Sequence, residues 1–495
     1  MNPQIVRLTY VALGLVAVLV VMTTYWQTWA APGLAARQDN SIKRVAEFQV
    51  DRGLVFSFAP RKRLARNRER TVDGKTLFFR RYPYGALAAH VVGYSTTARS
   101  RTGLERSMND YLTASNANLS TALDKALDEL RGKPIEGNDV VTNLDLDAQE
   151  VALAELGRNC GAVVALDPRD GRLLVLASSP SFDPNLVEAD FGQISRVTAN
   201  CEPAAPLINR ASAGLYVPGS TFKVVTAAAA LESKKFTPDS TFYDPGYCTV
   251  YGKRVNNFDT SRPFGTVSLR TALTYSVNSV FCNIGKELGA KRILDTAKRF
   301  GFYERPPLET PADERVASGL YRNGRLYYPE RNSDVDAGRM AFGQERMLVT
   351  ALQNAMVAGA IGNRGRLMEP HVVNRIVGPG GKVLEDTQPR LVRQAVSRKT
   401  ADEVAEMMRL AVEQGTGTAA QISGYAIGGK TGTGETGVSG SNITWFIAFA
   451  GEDEERAPEV AIAVVLQNQS GTGGTTAAPI ARAVMQAILQ GTENP

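Results

Sequence analysis

The stretch from Ile422 to Gly437, ISGYAIGGKTGTGETG, decides the fold, because it admits two readings that cannot both hold. Gly424, Gly429, Lys430 and Thr431 fit G-x-x-x-x-G-K-[ST], the loop whose backbone N–H groups cradle phosphate in nucleotide hydrolases. The other reading is a glycine-rich β-strand that needs bare backbone where something else approaches closely. A phosphate loop must run into a helix whose N-terminus faces the anion. Here Gly432, Gly434, Gly437 and Gly440 follow in GTGETGVSGSN and defeat a helix. The strand reading stands. Alternation puts Lys430 and Gly432 on one face and Thr431 and Thr433 on the other, and an edge strand that presents backbone as well as side chains reconciles the two faces.

The 495 residues, 43% hydrophobic and 21% charged, suffice for two or three ordinary domains and argue against disorder or a fibre. No charge occurs from Leu8 to Trp29, where the apolar run VALGLVAVLVVM is followed by TTYWQTW, an aromatic exit suited to a headgroup layer. A cleaved signal peptide is the competing reading, with Arg7 before the apolar run and small residues after it. The length and the aromatic exit favour a retained anchor, and Arg7 on the cytoplasmic side places the rest of the chain outside the cytoplasm.

Export changes how Cys160, Cys201, Cys248 and Cys282 read. They lack C-x-x-C spacing, so zinc is not expected, and an oxidising compartment permits two disulfides. Of three pairings, Cys160 with Cys201 and Cys248 with Cys282 joins sequence neighbours; four buried free thiols are the alternative. Much of the net charge of +6 sits in RKRLARNRERTVDGKTLFFRR, residues 61–81. Outside the cytoplasm such a run has no nucleic acid to bind. It reads as a solvated face, with contact to anionic lipid or a partner near the anchor as its functional reading.

Residues 1–35 therefore form the anchor, and 36–140 a mixed, arginine-rich module with strand-like runs such as LVFSFA and AAHVVGY. The Pro and Gly of RGKPIEGNDV (131–140) mark a boundary, with the main domain over 141–495. TNLDLDAQEVALAELG predicts an amphipathic helix closed by Gly157. GAVVALDPRDGRLLVLASS predicts two strands joined at DPRDG, and ITWFIAFAG with EVAIAVVLQNQ a further pair. A terminal helix follows in AAPIARAVMQAIL. The fold class is α+β, an antiparallel sheet beside helices.

Three motifs carry chemistry. YVPGSTFKVVTAAAALES (216–233) predicts a helix beginning at Ser220, so Ser220 and Lys223, three apart, share a face as nucleophile and base. S-x-x-K occurs once, where chance allows roughly two, so taken alone it is better explained by a capping serine with a solvated lysine. Ser276, Val277 and Asn278 supply a hydroxyl able to relay a proton and a carboxamide able to hold an amide. Lys430, Thr431 and Gly432 are the third. His90 and His371, the only histidines, stand in no motif, which disfavours a Ser-His-Asp triad.

In this order the three motifs resemble those of penicillin-binding proteins and serine β-lactamases. GAVVALDPRDGRLLVLASSPSFDPN, YVPGSTFK and GGKTGTGE resemble the transpeptidase domain of class B penicillin-binding proteins over about 145–490. DRGLVFS and GLERSMNDYL fit that class upstream, most like its short actinobacterial members. The resemblance implies the penicillin-recognising serine transpeptidase fold, a central antiparallel sheet flanked by helices with an all-helical subregion. It implies that Ser220 attacks a peptidoglycan stem peptide at D-Ala-D-Ala, with Lys223 as base, Ser276 as proton relay, Asn278 on the substrate amide and Lys430 setting the potential. Thr431 and Thr433 would bind the terminal carboxylate beside Gly432, and the N–H groups of Ser220 and Thr433 would form the oxyanion hole. β-Lactams would acylate Ser220, no cofactor or metal would be needed, and a membrane glycan polymerase would be the partner. A serine β-lactamase, which would need an additional base to hydrolyse its acyl-enzyme, and a β-lactam sensor or scaffold are the alternatives.

Overall fold

Residues 3–24, apolar with only Arg7 charged, have no inward face to bury and form a single exposed helix, α1 (Pro3–Thr24), continued by a wider turn over Tyr25–Ala30. Among the described residues it is the one helix long and apolar enough to cross a membrane. The computed structural model describes residues 3–30, 47–72, 74–97, 100–115, 136–259, 263–436, 438 and 440–491. Part of the expected connector, residues 131–135, lies outside the described residues.

The arginine-rich region pairs into a six-stranded sheet. β1 (Val55–Phe56) and β2 (Arg63–Val72) run antiparallel, β2 turns into β3 (Lys75–Arg81), and β4 (Asp139–Thr142) lies parallel to β1. Two strands from far along the chain, Val373–Val377 and Val383–Asp386, complete it next to β4. Beneath it Glu105 is fully buried, bonding Arg52 Nε at 2.8 Å and Arg80 Nε at 2.6 Å. LVFSFA contributes only the short β1. AAHVVGY is helical rather than extended: Ala88 to Val92 are buried, and His90 Nε2 lies 2.9 Å from the Pro206 carbonyl. Tertiary burial overrides the strand preference of the two valines.

The second sheet is antiparallel throughout, with both faces covered. β5 (Gly161–Leu166) and β6 (Leu173–Ser179) pair around DPRDG as expected, and β7 (Ala426–Glu435), β8 (Asn442–Gly451) and β9 (Val460–Gln469) complete the order β7-β8-β9-β5-β6. Alternation divides the residues of each strand. Val163, Ala165, Phe446 and Ala448 meet α2 (Leu146–Leu156) and the terminal α7 (Gly473–Gly491) on one side. Ala162, Val164, Trp445 and Ile447 face the larger core that contains α3 (Lys223–Glu232), α4 (Asn278–Leu288), α5 (Ala351–Gly362) and α6 (Arg398–Glu413). Asp145 caps α2 by accepting from the N–H groups of Asp147 and Ala148, and Gly157 closes it at a φ of 51°.

Both sequence-neighbour disulfides are present, Cys160–Cys201 and Cys248–Cys282, which removes the free-thiol alternative. They close loops of 41 and 34 residues. On a chain-entropy argument each stabilises by roughly 4 kcal/mol.

Candidate active site

The turn before Ser220 is shaped by what it must avoid. Gly219 has a φ of 53°, and a Cβ there would lie 2.4 Å from the Thr433 carbonyl oxygen, so only glycine lets this turn reach β7. Trp445, fully buried in β8, donates its Nε1–H to the Val217 carbonyl at 2.9 Å and holds the approach. The α-helix starts later than expected. Gly219–Phe222 form a 3₁₀ turn, and α3 begins at Lys223. Three-residue periodicity still stacks Ser220 over Lys223. Ser220 lines a cleft of about 1200 Å³, together with Ser276, Asn278, Thr431, Gly432 and Thr433.

Behind the serine two lysines are fully buried, and neither forms an ion pair with a described residue. Lys223 Nζ donates to the Ser276 carbonyl at 2.6 Å and Asn278 Oδ1 at 2.7 Å, and lies 3.2 Å from Ser276 Oγ. Lys430 Nζ donates to Ser276 Oγ at 2.9 Å and to the Thr431 carbonyl at 3.0 Å. Ser276 is therefore the hub, and it sits at a φ of 61°, a left-handed conformation that costs a non-glycine residue energy and is kept only where surroundings enforce it.

Electrostatics follow from burial without a counter-ion. Burial, and then the neighbouring Lys430 charge, push the Lys223 ammonium well below the ordinary lysine value, while burial brings Lys430 down to about 7. A neutral amine has two N–H bonds, and the two carbonyl acceptors at 2.6 and 2.7 Å use both. The lone pair of Lys223 is then free to accept a proton, and Ser276 Oγ, held by Lys430, can carry it onward. Ser220 lines the same cleft as Ser276 and Asn278, the two residues that hold the Lys223 amine.

β7 resolves the problem of faces. Among the described residues it pairs only with β8, as an edge strand. Lys430, Gly432 and Gly434 stand on the face against residues 217–221, where a Cβ on Gly432 would lie 2.7 Å from the Pro218 carbonyl. Thr431 and Thr433 take the other face yet still border the cleft, and Thr431 Oγ1 lies 2.7 Å from Thr416 Oγ1. The Asn278 amide is already half engaged: its oxygen takes Lys223, and its nitrogen donates to the Asn256 carbonyl at 3.0 Å, leaving one N–H.

The expected residues thus come together. Sequence reasoning missed the opposite wall, a ribbon of Tyr247–Val250 and Lys253–Asn256 that the Cys248–Cys282 disulfide ties to α4. It also missed Thr416 and Gly473, which line the cleft. Their only sequence signals are the two cysteines and an isolated Gly-Thr-Gly-Gly run. The histidines are not part of the site; both are buried elsewhere, and burial brings His90 down to about 4.

Fold and site together define a penicillin-recognising serine acyl-transfer enzyme. Residues 161–486 match the penicillin binding protein transpeptidase domain, and residues 52–140 the penicillin binding protein A dimerisation domain; the chain belongs to the class B penicillin-binding protein family. It is 33% identical to the peptidoglycan D,D-transpeptidase PbpA of Mycobacterium tuberculosis, across 99% of this chain and 100% of that protein. It is 30% identical to the peptidoglycan D,D-transpeptidase MrdA of Acinetobacter baumannii, across 85% of this chain and 68% of that one. Among solved structures, the ceftriaxone acyl-enzyme of penicillin-binding protein A from M. tuberculosis superposes with a TM-score of 0.78 at 32% identity, covering 90% of this chain and 100% of that one.

Proposed function

We propose that this protein is a peptidoglycan D,D-transpeptidase, with an anchor over 1–35, a non-catalytic module over 36–140 and the transpeptidase domain over 141–495. Ser220 Oγ attacks the carbonyl of the penultimate D-Ala of a stem peptide as Lys223 takes its proton. The C–N bond to the terminal D-Ala breaks, Ser276 passes the proton to the leaving amine, and an ester on Ser220 remains. The amine of a second stem peptide then displaces Ser220, which regains its proton. One amide replaces another, so the exchange needs no nucleotide.

The same proposal assigns the remaining roles. The free N–H of Asn278 meets the substrate amide, Thr431 and Thr433 hold the terminal carboxylate beside Gly432, and Lys430 keeps Lys223 unprotonated. The N–H groups of Ser220 and Thr433 stabilise the oxyanion. The catalytic domain lies outside the cytoplasm on a single-pass anchor, α1, and a membrane glycan polymerase supplies the strands to be cross-linked.

The observation that carries this reading is the pair of buried lysines meeting at Ser276 Oγ behind Ser220. Fluorescent penicillin followed by intact-mass measurement over time tests it. A long-lived adduct that disappears in Ser220→Ala is the expected result. Rapid turnover of the adduct would instead make the chain a β-lactamase, and no adduct a scaffold.

A further inference from the structure

The hairpin of β2 and β3 sorts its residues by face. Directly opposed residues in an antiparallel pair share a face, and the register pairs Arg66 with Arg81, Arg68 with Phe79, Arg70 with Leu77 and Val72 with Lys75. One face therefore carries five cations, Arg66, Arg68, Arg70, Lys75 and Arg81, among Phe79, Leu77 and Val72. All five are exposed, none makes an ion pair with a described residue, and Val72 is exposed too. The other face holds Asn67, Arg80 and buried Phe78, turned toward the buried Glu105. Thus the one acidic residue of β2, Glu69, is excluded from the cationic face by alternation.

This face adjoins the first described residues after those that continue α1. The described chain resumes at Glu47, and Phe48 stacks on Phe79 at 5.6 Å while its carbonyl accepts from the Phe78 N–H at 2.7 Å. Residues 31–46 can span at most roughly 55 Å even fully extended. A face rich in arginine with apolar residues between is thus tied by a chain of at most roughly 55 Å to whatever bilayer α1 enters.

From this geometry we infer that the β2–β3 face docks on anionic phospholipid headgroups of the membrane that holds the anchor, seating the module against the bilayer. Guanidinium groups match phosphate oxygens in charge and geometry, and Val72 and Leu77 suit the interfacial region. The inference rests on the reading of α1 as a retained anchor.

The test uses the full chain in lipid nanodiscs, one set phosphatidylcholine alone and one with about a third phosphatidylglycerol, with amide hydrogen exchange of residues 63–81 as readout. Exchange is expected to slow at least threefold in the anionic discs. That protection should vanish at high salt, where charges are screened, and in Arg66→Glu/Arg68→Glu/Arg70→Glu, which should still label fully with fluorescent penicillin. Equal exchange in both lipids overturns the proposal. So does protection in zwitterionic discs that appears on adding soluble glycerophosphate or grows with two copies per disc, since these mark a free phosphate or a second chain as the occupant. A chain that fails to co-elute with discs refutes the anchor instead, and is read separately from exchange.

Discussion

Two lysines share one hydroxyl, and the consequence at the residue scale is a pH dependence. Ser276 Oγ lies 3.2 Å from Lys223 and 2.9 Å from Lys430, so the amines are no more than about 6 Å apart. Lys430 keeps its proton below about 7, and burial and then that charge hold the Lys223 ammonium well below the ordinary lysine value. Its positive charge disfavours a second cation beside it. Lys430→Gln removes the charge, so Lys223 should protonate at higher pH. The acid limb of the penicillin acylation profile is expected to move up by about 1–2 pH units, with rates on that limb lower by roughly 10- to 100-fold. Stopped-flow acylation across pH 5 to 10 checks this; an unmoved limb would mean that burial alone sets the base. Ser276→Ala separates relay from scaffold. Lys223 keeps both carbonyl acceptors and Lys430 keeps the Thr431 carbonyl while losing the Ser276 hydroxyl, so stability should fall by about 1–3 kcal/mol, whereas loss of a proton relay should slow acylation by about 10²-fold or more. Thermal unfolding beside acylation rates distinguishes the two.

At the scale of elements, the site is a meeting of a 3₁₀ turn, a left-handed serine and an edge strand, and glycine sets the distance between them. Gly219→Ala places a Cβ 2.4 Å from the Thr433 carbonyl at a φ of 53°, so turn and strand must part. Acylation is expected to fall by about 10²-fold, the scale of loss that a misplacement of about 1 Å produces, while the buried lysines behind the turn still pack. Penicillin labelling and circular dichroism check the two halves of that statement. The same elements show what was legible in advance. Ser220, Lys223, Ser276, Asn278 and Lys430 were readable because their chemistry is local and ordered along the chain. The sheet was readable because alternating apolar runs leave few other structures. The 3₁₀ turn was not: YVPGSTFK reads as a helix start, and only the close passage of Thr433, more than 200 residues on, forces the tighter winding. Nor was the ribbon wall, whose exposed Tyr251 and Phe258 have no periodic pattern and whose position depends on a disulfide. AAHVVGY failed for a similar reason, since its burial comes from partners as distant as Pro206.

For the whole molecule, the two sheets are not independent. β4 joins β1 on one side and Val373–Val377 on the other, and the chain passes from β4 into α2, which packs on the second sheet. Arg106 bonds Asp313 at 2.8 Å, Gln149 Nε2 donates to the Leu87 and Leu176 carbonyls, both at 3.0 Å, and Gly103 N–H donates to Glu314. Unfolding of the arginine-rich module should therefore carry the catalytic domain with it. The buried Glu105 is the place to test that. Burial pushes its carboxyl up, but the charges of Arg80 and then Arg52 outweigh this and leave it below the ordinary value. A carboxyl with a lowered folded pKa stabilises the fold above the unfolded value, near ~4.5, and that stabilisation is lost as pH falls through the folded pKa. Glu105→Gln leaves two buried guanidinium groups without their anion, which should cost about 3–5 kcal/mol at neutral pH. The loss should be similar at every pH above ~5 and should shrink below that, as the unfolded carboxyl and then, at its lowered pKa, the folded one take up a proton. Denaturant unfolding at pH 7 and pH 3.5 followed by circular dichroism, with penicillin labelling of Ser220 in parallel at pH 7, is the measurement. Coincident transitions that shift together in the variant are expected. If labelling survives at denaturant concentrations where the module has melted, the continuous strand β4 does not couple the two halves.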